Sequence, residues 1–245
     1  MSKPYNVVTD LFDLYWDDPV AFAEDMMGFD PDDWQCDVMM DVTQFPRTSV
    51  RSGQGVGKTG LEAALVIWFL CCRPNPKVVC TAPTKQQLHD VLWAEVSKWL
   101  ENSMVKNLLK WTKTKVYMIG HEQRWFATAR TAYKPENMQG FHEDYMLFIV
   151  DEASGVSDPI MEAILGTLSG AENKLLMCGN PTRTSGFFFM IRTTGTVVVS
   201  VLIKWILVAA VLLIVSAVGN VFGFEISEEL STNITGLAMA ILGLR

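Results

Sequence analysis

Histidine and cysteine are scarce in this sequence, which has three histidines and five cysteines among its 245 residues. The histidines are isolated, and no two cysteines have the Cys-x-x-Cys spacing of a metal or redox site. The pattern argues against a metal cluster built from these residues, and we expect all five cysteines to be reduced thiols of a cytosolic domain. Residues 1–13 also lack the basic head and apolar core of a secretory signal, so none is expected.

Basic residues are nearly absent from positions 1–46, where 11 acidic residues accompany a single lysine. Residues 47–189 are mildly basic instead, with 16 basic and 13 acidic residues, and residues 190–245 hold three of each. The net charge of −7 therefore conceals regions of opposite sign. We interpret residues 1–46 as an acidic arm, either a solvated surface or a subunit contact, and the middle block as compatible with a nucleic-acid partner.

Charged residues are absent again from positions 205–224, a run of 20 residues. That is about the length needed to cross the core of a bilayer. Lys204 and Trp205 stand at its N-terminal edge, as interfacial anchors do. We predict an apolar tail over residues 190–245 with a membrane helix at 205–224, and a buried core helix or central strands remain the alternative.

Short apolar strands alternate with helices before residue 190. The predicted strands cover 48–52, 77–82, 124–129, 145–150 and 174–178, and the clearest helices cover 59–72 and 86–100. Several of the strands are uninterrupted apolar runs, as in strands buried on both faces. The alternation predicts an α/β fold for residues 47–189, with a mainly parallel sheet flanked by helices on both faces.

The run SGQGVGKT at positions 52–59 nearly matches the phosphate-binding loop G-x-x-x-x-G-K-[ST], with serine in place of the first glycine. Lys58 is spaced to reach the β and γ phosphates of ATP, and the Thr59 hydroxyl to bind Mg²⁺. The helix that starts near Lys58 adds its positive N-terminal end. Three glycines leave backbone N–H groups open to a phosphate: Gly53, Gly55 and Gly57. We predict ATP and Mg²⁺ as cofactors, and a plain glycine-rich turn is the alternative.

Two further strands end in polar side chains. The strand MLFIV is followed by Asp151, a candidate Mg²⁺ ligand, and Glu152, a candidate base that polarises the attacking water. The strand KLLMC leads to Asn180, placed to sense the γ-phosphate or that water, because strand ends converge on the ligand crevice of such sheets. An acidic helix cap and an Asn-Pro turn are the respective structural alternatives.

Adenine and the transition state require other groups. The amide of Gln35 has a donor and an acceptor that match the edge of the base, and Trp34 is placed to pack near the ring. The charge that develops on the phosphates calls for an arginine, for which Arg51 is the first candidate and Arg130 and Arg183 are others. Each arginine has a surface or strand-capping role as its alternative.

Several motifs occur in order: WQ at 34–35, RSGQGVGKT at 51–59, TAPTKQQ at 81–87, QGFH at 139–142, FIVDEASGV at 148–156 and CGNPTRTSGFF at 179–188. Together they resemble the ATPase domain of the terminase large subunit of tailed bacteriophages, over about residues 5–189. In that family the first glycine of the loop is often absent and an arginine often precedes it, as Ser52 and Arg51 do here. The resemblance implies the site roles given above, and that Asn180 couples hydrolysis to movement.

The resemblance further implies a P-loop NTPase of the additional-strand, helicase-like class that pumps double-stranded DNA into a procapsid. The implied partners are a terminase small subunit and a portal, on which copies form a homo-oligomeric ring in the host cytoplasm. The family's nuclease domain is not expected in residues 190–245, whose tail weakly resembles a holin-type membrane protein. Two alternatives stay open: another DNA-dependent helicase-like ATPase, and a membrane-anchored chimera with an inert ATPase.

Overall fold

The computed structural model describes residues 7–138, 140–182 and 186–190. These residues form one sheet of seven strands, in the order β1-β7-β6-β2-β5-β4-β3. The strands are β1 (Arg47–Arg51), β2 (Lys77–Thr81), β3 (Leu109–Trp111), β4 (Lys115–Met118), β5 (Phe126–Ala129), β6 (Met146–Val150) and β7 (Lys174–Gly179). In this order the first five strands, which are β1, β7, β6, β2 and β5, run parallel to one another. The last two, β4 and β3, form a hairpin that continues the sheet with antiparallel pairing.

Helices lie before, between and after the strands along the chain. They are α1 (Val7–Tyr15), α2 (Pro19–Phe22), α3 (Asp33–Gln44), α4 (Lys58–Cys71), α5 (Trp93–Asn102), α6 (Asp158–Thr167) and α7 (Phe187–Met190). Wider π-helical turns follow α2 over Ala23–Met27 and precede α5 over Gln87–Leu92. Short 3₁₀ turns lie at Pro135–Met138 and Ala153–Gly155. The start of α2 shows a local cause, because Asp18 accepts a hydrogen bond from the N–H of Ala21 and Pro19 opens the helix.

Strand side chains alternate between two apolar clusters, one on each face of the sheet. In β6, Leu147 and Ile149 join the cluster that contains α4, while Phe148 and Val150 join the cluster that contains α6. All five residues of β6 are buried. Burial on both faces explains why the parallel strands are continuous apolar runs rather than alternating ones. The predicted mixed α/β sheet with flanking helices is therefore confirmed.

The five predicted strands are the five parallel strands of the sheet, with ends that shift by one or two residues. The third of them in chain order, predicted from residue 124, is β5, which begins at Phe126 because residues 121–125 form a turn, in which Trp125 donates its backbone N–H to the carbonyl of His121. The sequence pattern did not indicate β3 or β4. The predicted membrane helix at 205–224 lies outside the described residues, and within the described ranges no helix is long and apolar enough to span a membrane.

Candidate nucleotide-binding site

The carboxyl ends of β1, β7 and β6 are neighbours along one edge of the sheet. The glycine-rich loop follows β1, Asn180 follows β7, and Asp151 follows β6. Hydrogen bonds fix these ends: Ser52 N–H donates to the carbonyl of Gly179 at 3.2 Å, and Asp151 N–H to the carbonyl of Thr81 at 2.9 Å. The sheet thus brings the loop beside two segments that follow it by more than 90 residues in sequence, as expected at the ligand crevice of an open α/β sheet.

Two glycines of the loop have left-handed backbones, with φ of 75° at Gly55 and 89° at Gly57. A Cβ at position 57 would lie 2.9 Å from Nε2 of Gln35, so a side chain there meets both strain and a collision. Gly53 is not among the left-handed glycines, and no atom would lie within 4 Å of a Cβ there. The conformation therefore demands glycine at positions 55 and 57 but not at position 53.

Helix α4 begins at Lys58, so its free N-terminal N–H groups and positive dipole end face the loop. Lys58 folds back over the loop, where its Nζ donates to the carbonyl of Gly53 at 2.6 Å. A cleft of about 220 Å³ opens beside this lysine. The residues that line it are Gln54, Gly55, Gly57, Lys58, Thr59, Gln87, Val91, Asp151 and Glu152.

The acidic pair shares the lining of this cleft with the glycine-rich loop. Asp151 is buried, and one of its carboxylate oxygens accepts the backbone N–H of Glu152 at 2.8 Å. The pKa of Asp151 is raised to about 6; burial is the main cause and the charge of Glu152 adds to it, while that same N–H and Lys58 oppose the rise. A buried carboxylate with so little compensating charge is suited to bind a cation.

Glu152 has a left-handed backbone, with φ of 46° and ψ of 45°. For a residue with a Cβ, such a conformation costs on the order of 1–3 kcal/mol and occurs mainly where function requires it. The turn places Glu152 in the lining of the cleft while Asp151 remains buried beneath it. The two neighbouring carboxylates therefore have different environments, which suits different chemical roles.

A third carboxyl group, Glu62, lies in α4 one turn after Lys58 and is completely buried. Within the part of the chain that the structure describes, neither of its carboxyl oxygens has a hydrogen-bond partner of good geometry, although the thiol of Cys178 lies near enough to interact with the carboxyl group and to oppose the rise in its pKa. Burial raises its pKa well above the ordinary value, and the nearby charge of Asp151 adds to that rise. Glu62 is not among the residues predicted for the site, although its sequence signal is a lone acid inside the apolar run LEAALVIWF.

Gln35 supports the loop from α3. Its Oε1 accepts the backbone N–H of Asp32 at 2.8 Å, and its Nε2 donates to the carbonyl of Gly57 at 2.9 Å. The side chain is buried and does not line the cleft. Trp34 is partly buried and packs against the main core. The adenine contacts expected of this pair stay a prediction, and the structure adds a role for Gln35 in holding the last glycine of the loop.

Of the candidate arginines, the two that lie in the described part of the chain, Arg51 and Arg130, do not line the cleft. Arg51 donates from Nη2 to the carbonyl of Phe188 at 2.7 Å, and its guanidinium lies 5.5 Å from the centre of that ring. Arg130 lies over the ring of Phe141 at 5.6 Å. Arg183 falls outside the described residues. A role for any of them in the transition state stays a prediction.

Asn180 stands at the carboxyl end of β7, between the loop and the acidic pair, and is also outside the lining of the cleft. Its backbone carbonyl accepts the N–H of Thr182 at 2.7 Å, and its expected role stays a prediction. Gln87 and Val91 line the cleft although the sequence analysis did not assign them there. Gln87 is the last residue of the TAPTKQQ motif, whose position in the site was not predicted from the sequence.

A probable terminase large subunit of Enterobacteria phage P7 is 34% identical to this chain over 195 residues. The resemblance to phage terminase large subunits is confirmed. The match spans 74% of this terminase-like chain and 38% of the length of the phage P7 protein. No family model matches the sequence.

Solved structures support the same fold. The large terminase ATPase domain of Thermus phage P74-26 superposes with a TM-score of 0.57 at 19% identity, covering 69% of this chain and 72% of that one. The large terminase of another thermophilic bacteriophage superposes with a TM-score of 0.52 at 14% identity, covering 64% of this chain and 41% of that one. At these identities the likeness concerns the fold, which is that of a large-terminase ATPase domain.

Proposed function

We propose that this chain contains the ATPase motor of a phage terminase, in which ATP hydrolysis drives double-stranded DNA into a procapsid. The observation that carries the proposal is the cleft in which Lys58, Thr59, Asp151 and Glu152 meet. A phosphate-binding loop and an acidic pair that share one cleft are the two parts that phosphoryl transfer requires. A packaging motor is proposed among the possible ATPases because the similar proteins described above are phage terminases.

The residues present fit ATP with Mg²⁺. Gly55 and Gly57 line the cleft without a side chain to block a phosphate, and α4 directs its N-terminus there. Mg²⁺ prefers oxygen ligands, and the Thr59 hydroxyl and the Asp151 carboxylate both line the cleft. Among the described residues no three histidine, cysteine or carboxylate groups form a metal cluster, so the remaining ligands would be phosphate oxygens and water.

In the proposed mechanism, Lys58 moves from the carbonyl of Gly53 to the β and γ phosphates, where its charge offsets the charge that develops. Thr59 and Asp151 would hold Mg²⁺, which would supply Lewis-acid stabilisation to the phosphate oxygens. Glu152 accepts a hydrogen bond from the attacking water and orients it toward the γ-phosphate. Its strained backbone holds the carboxylate beside the cleft in advance, which reduces the reorganisation needed during the reaction.

The other site roles belong to the same proposal. Gln35 contacts adenine or transmits its presence to Gly57, Arg51 offsets charge in the transition state, and Asn180 links hydrolysis to movement. Residues 47–189 form the additional-strand, helicase-like motor core, and residues 1–46 carry the adenine-contacting segment. A small subunit, a portal and other copies of the chain in a ring are the proposed partners, in the host cytoplasm with a membrane contact through residues 205–224.

A Glu152→Gln variant tests the mechanism. The amide keeps the size of the side chain but cannot act as a base, so we expect ATP turnover to fall at least ~100-fold while binding of a fluorescent ATP analogue is retained. The matched control is Glu101→Gln, which makes the same change at an exposed position in α5 and should leave turnover unaltered. Turnover by Glu152→Gln at the wild-type rate would refute the assignment.

The choice of motor needs a separate assay. A packaging motor moves along duplex DNA without unwinding it, whereas a helicase-like ATPase releases a labelled strand. We expect ATP-dependent displacement of a triplex-forming third strand from duplex DNA, with no separation of the duplex itself. Strand separation would favour the helicase-like alternative, and an absence of ATPase activity would favour an inert domain on a membrane-anchored chain.

A further inference from the structure

Among the described residues, helices cover only part of one face of the sheet. The cluster that contains α4 covers one face and includes residues of every strand from β1 to β7. On the opposite face, the cluster around α6 includes residues of β2, β6 and β7. Within the described residues, that second cluster contains no residue of β3, β4 or β5. The second face of β3, β4 and β5 therefore lies beyond the apolar layer that α6 provides.

Strand register shows which side chains occupy this face. Lys110 pairs with Tyr117, Tyr117 pairs with Phe126, and Phe126 pairs with Lys77. Paired residues lie on the same face of a sheet, so these four form a row across β3, β4, β5 and β2. Lys115, two residues before Tyr117 in β4, lies on the same face. We call this set of five residues the basic sheet face.

Two lysines of the basic sheet face share one aromatic ring. The Nζ atoms of Lys77 and Lys115 lie 3.9 and 4.2 Å from the centre of the Phe126 ring. The pKa of Lys77 is lowered, first by burial and then by the positive charges of Lys115 and Arg124, while Glu143 opposes this at 3.8 Å. Positive charges are thus crowded on this face, with a single carboxylate paired to the innermost lysine among the described contacts.

The surrounding sequence has the same sign. Residues 104–134 hold seven basic residues and one acidic residue, Glu122, in a chain whose net charge is −7. Six of these basic residues are exposed, namely Lys106, Lys110, Lys113, Arg124, Arg130 and Lys134. The mild excess of positive charge noted for residues 47–189 is therefore concentrated around the hairpin of β3 and β4. Such a concentration in an acidic protein is complementary to a polyanion.

We propose that the basic sheet face binds the phosphate backbone of duplex DNA; this rests on the proposed function, to which it adds the contact surface. Lys110 and Lys115 are diagonal neighbours on β3 and β4, about 7–8 Å apart, whereas Lys77 is buried and its Nζ donates to the carbonyls of Gln123 and Arg124. The distance between Lys110 and Lys115 matches about two base pairs of rise along a duplex. Cations at this spacing neutralise phosphates about two positions apart without reading base edges, which suits a motor that must grip any sequence.

The same residues favour a duplex over a single strand. Single-strand binding surfaces commonly offer open aromatic rings on which bases stack. Here Phe126 is 9% exposed and lies beneath two lysine ammonium groups, so its ring is not free for a base. Tyr117 is half-buried in the same row. The face therefore presents charge rather than stacking platforms.

The test measures binding of the full chain to a fluorescein-labelled duplex of about 30 base pairs and random sequence, by anisotropy and without nucleotide. Lys110→Glu combined with Lys115→Glu should raise the Kd at least ~10-fold. It should also reduce the slope of log K against log salt by about 1.8, since each phosphate contact contributes about 0.9. Arg47→Glu combined with Lys98→Glu is the matched control, because it makes the same charge change at two exposed residues outside the face.

Lysine-to-arginine changes at 110 and 115 keep the charge and should retain binding, which separates contact from folding. Three results would each overturn the proposal: an equal loss of affinity in the Arg47→Glu, Lys98→Glu control, unaltered binding by the Lys110→Glu, Lys115→Glu variant, or no duplex binding by the wild type. The proposal would also fail if the Lys110→Glu, Lys115→Glu variant kept its DNA affinity but changed its oligomeric state. That result would indicate that the face binds the acidic arm of a second copy. If wild-type ATPase activity is absent while duplex binding depends on the face, the proposed function fails and the DNA contact stands.

Discussion

Replacing Asp151 with asparagine should stabilise this protein at neutral pH while removing its Mg²⁺-dependent ATPase activity. Asparagine has nearly the same shape and keeps an oxygen that can accept a hydrogen bond from the N–H of Glu152. Asp151 accepts this bond at 2.8 Å. It carries no charge, so it avoids the cost of holding a buried carboxylate without a metal. The variant therefore separates the stability cost of the site from its chemistry.

The magnitude follows from the two pKa values of Asp151, which are 3.8 ordinarily and about 6 in the folded protein. Between these values the folded state binds more protons than the unfolded state, so the free energy of unfolding falls as pH rises through this range. At pH values above this range, the buried carboxylate lowers the free energy of unfolding by its full amount. The difference of about 2 pH units corresponds to about 3 kcal/mol at most. Below pH 3.8 both states are protonated and the cost vanishes.

Urea unfolding of the full chain in EDTA, at about pH 7.5 and about pH 3.5, measures this directly. We expect Asp151→Asn to unfold at higher urea than the wild type at the higher pH, with a gain of about 1–3 kcal/mol, and to match it at the lower pH. Asp144→Asn is the control, since Asp144 is exposed and follows no strand of the site. Mg²⁺ with ADP should stabilise the wild type and leave the variant unaffected.

Two results would refute this reasoning. If Asp151→Asn is less stable than the wild type at the higher pH, the carboxylate stabilises the folded state through contacts that outweigh its burial. If the variant is more stable by the same amount at both pH values, its gain does not come from ionisation. A gain of similar size in Asp144→Asn would show that net charge, rather than the buried site, controls the stability.

Two further outcomes are expected. Gly57→Ala should destabilise the protein by about 1–2 kcal/mol and weaken nucleotide binding, because its φ is 89° and the new Cβ would meet Gln35 at 2.9 Å. Gly53→Ala is the milder control, and urea unfolding with a nucleotide titration measures both. Glu62→Gln should reduce the loss of stability that accompanies rising pH above 4.5. Burial raises the pKa of Glu62, so ionisation of this carboxyl destabilises the folded state, and glutamine does not ionise. Parallel unfolding profiles of variant and wild type from about pH 4 to about pH 8 would contradict this.

Much of the site was predictable because its chemistry lies in short contiguous runs. The glycines, Lys58 and Thr59 are fixed by the local needs of a phosphate loop, and apolar runs ending in Asp151 and Asn180 indicate buried strands with polar tips. Five of the seven strands were located for the same reason. The hairpin of β3 and β4 was not, because its strands have three and four residues with alternating exposure and resemble a loop in composition.

The sequence by itself determined the kind of site, since backbone conformation near a phosphate and acidic residues at strand ends are local properties. Only the tertiary structure decided which residues meet. The strand order β1-β7-β6 brings the loop beside the acidic pair, and it directs Gln35 to Gly57 and Arg51 to Phe188 rather than into the cleft. It also places Glu62 beneath the site and gathers Lys77, Lys110 and Lys115 on one face. These relations depend on strand pairing between distant segments, which local composition does not specify.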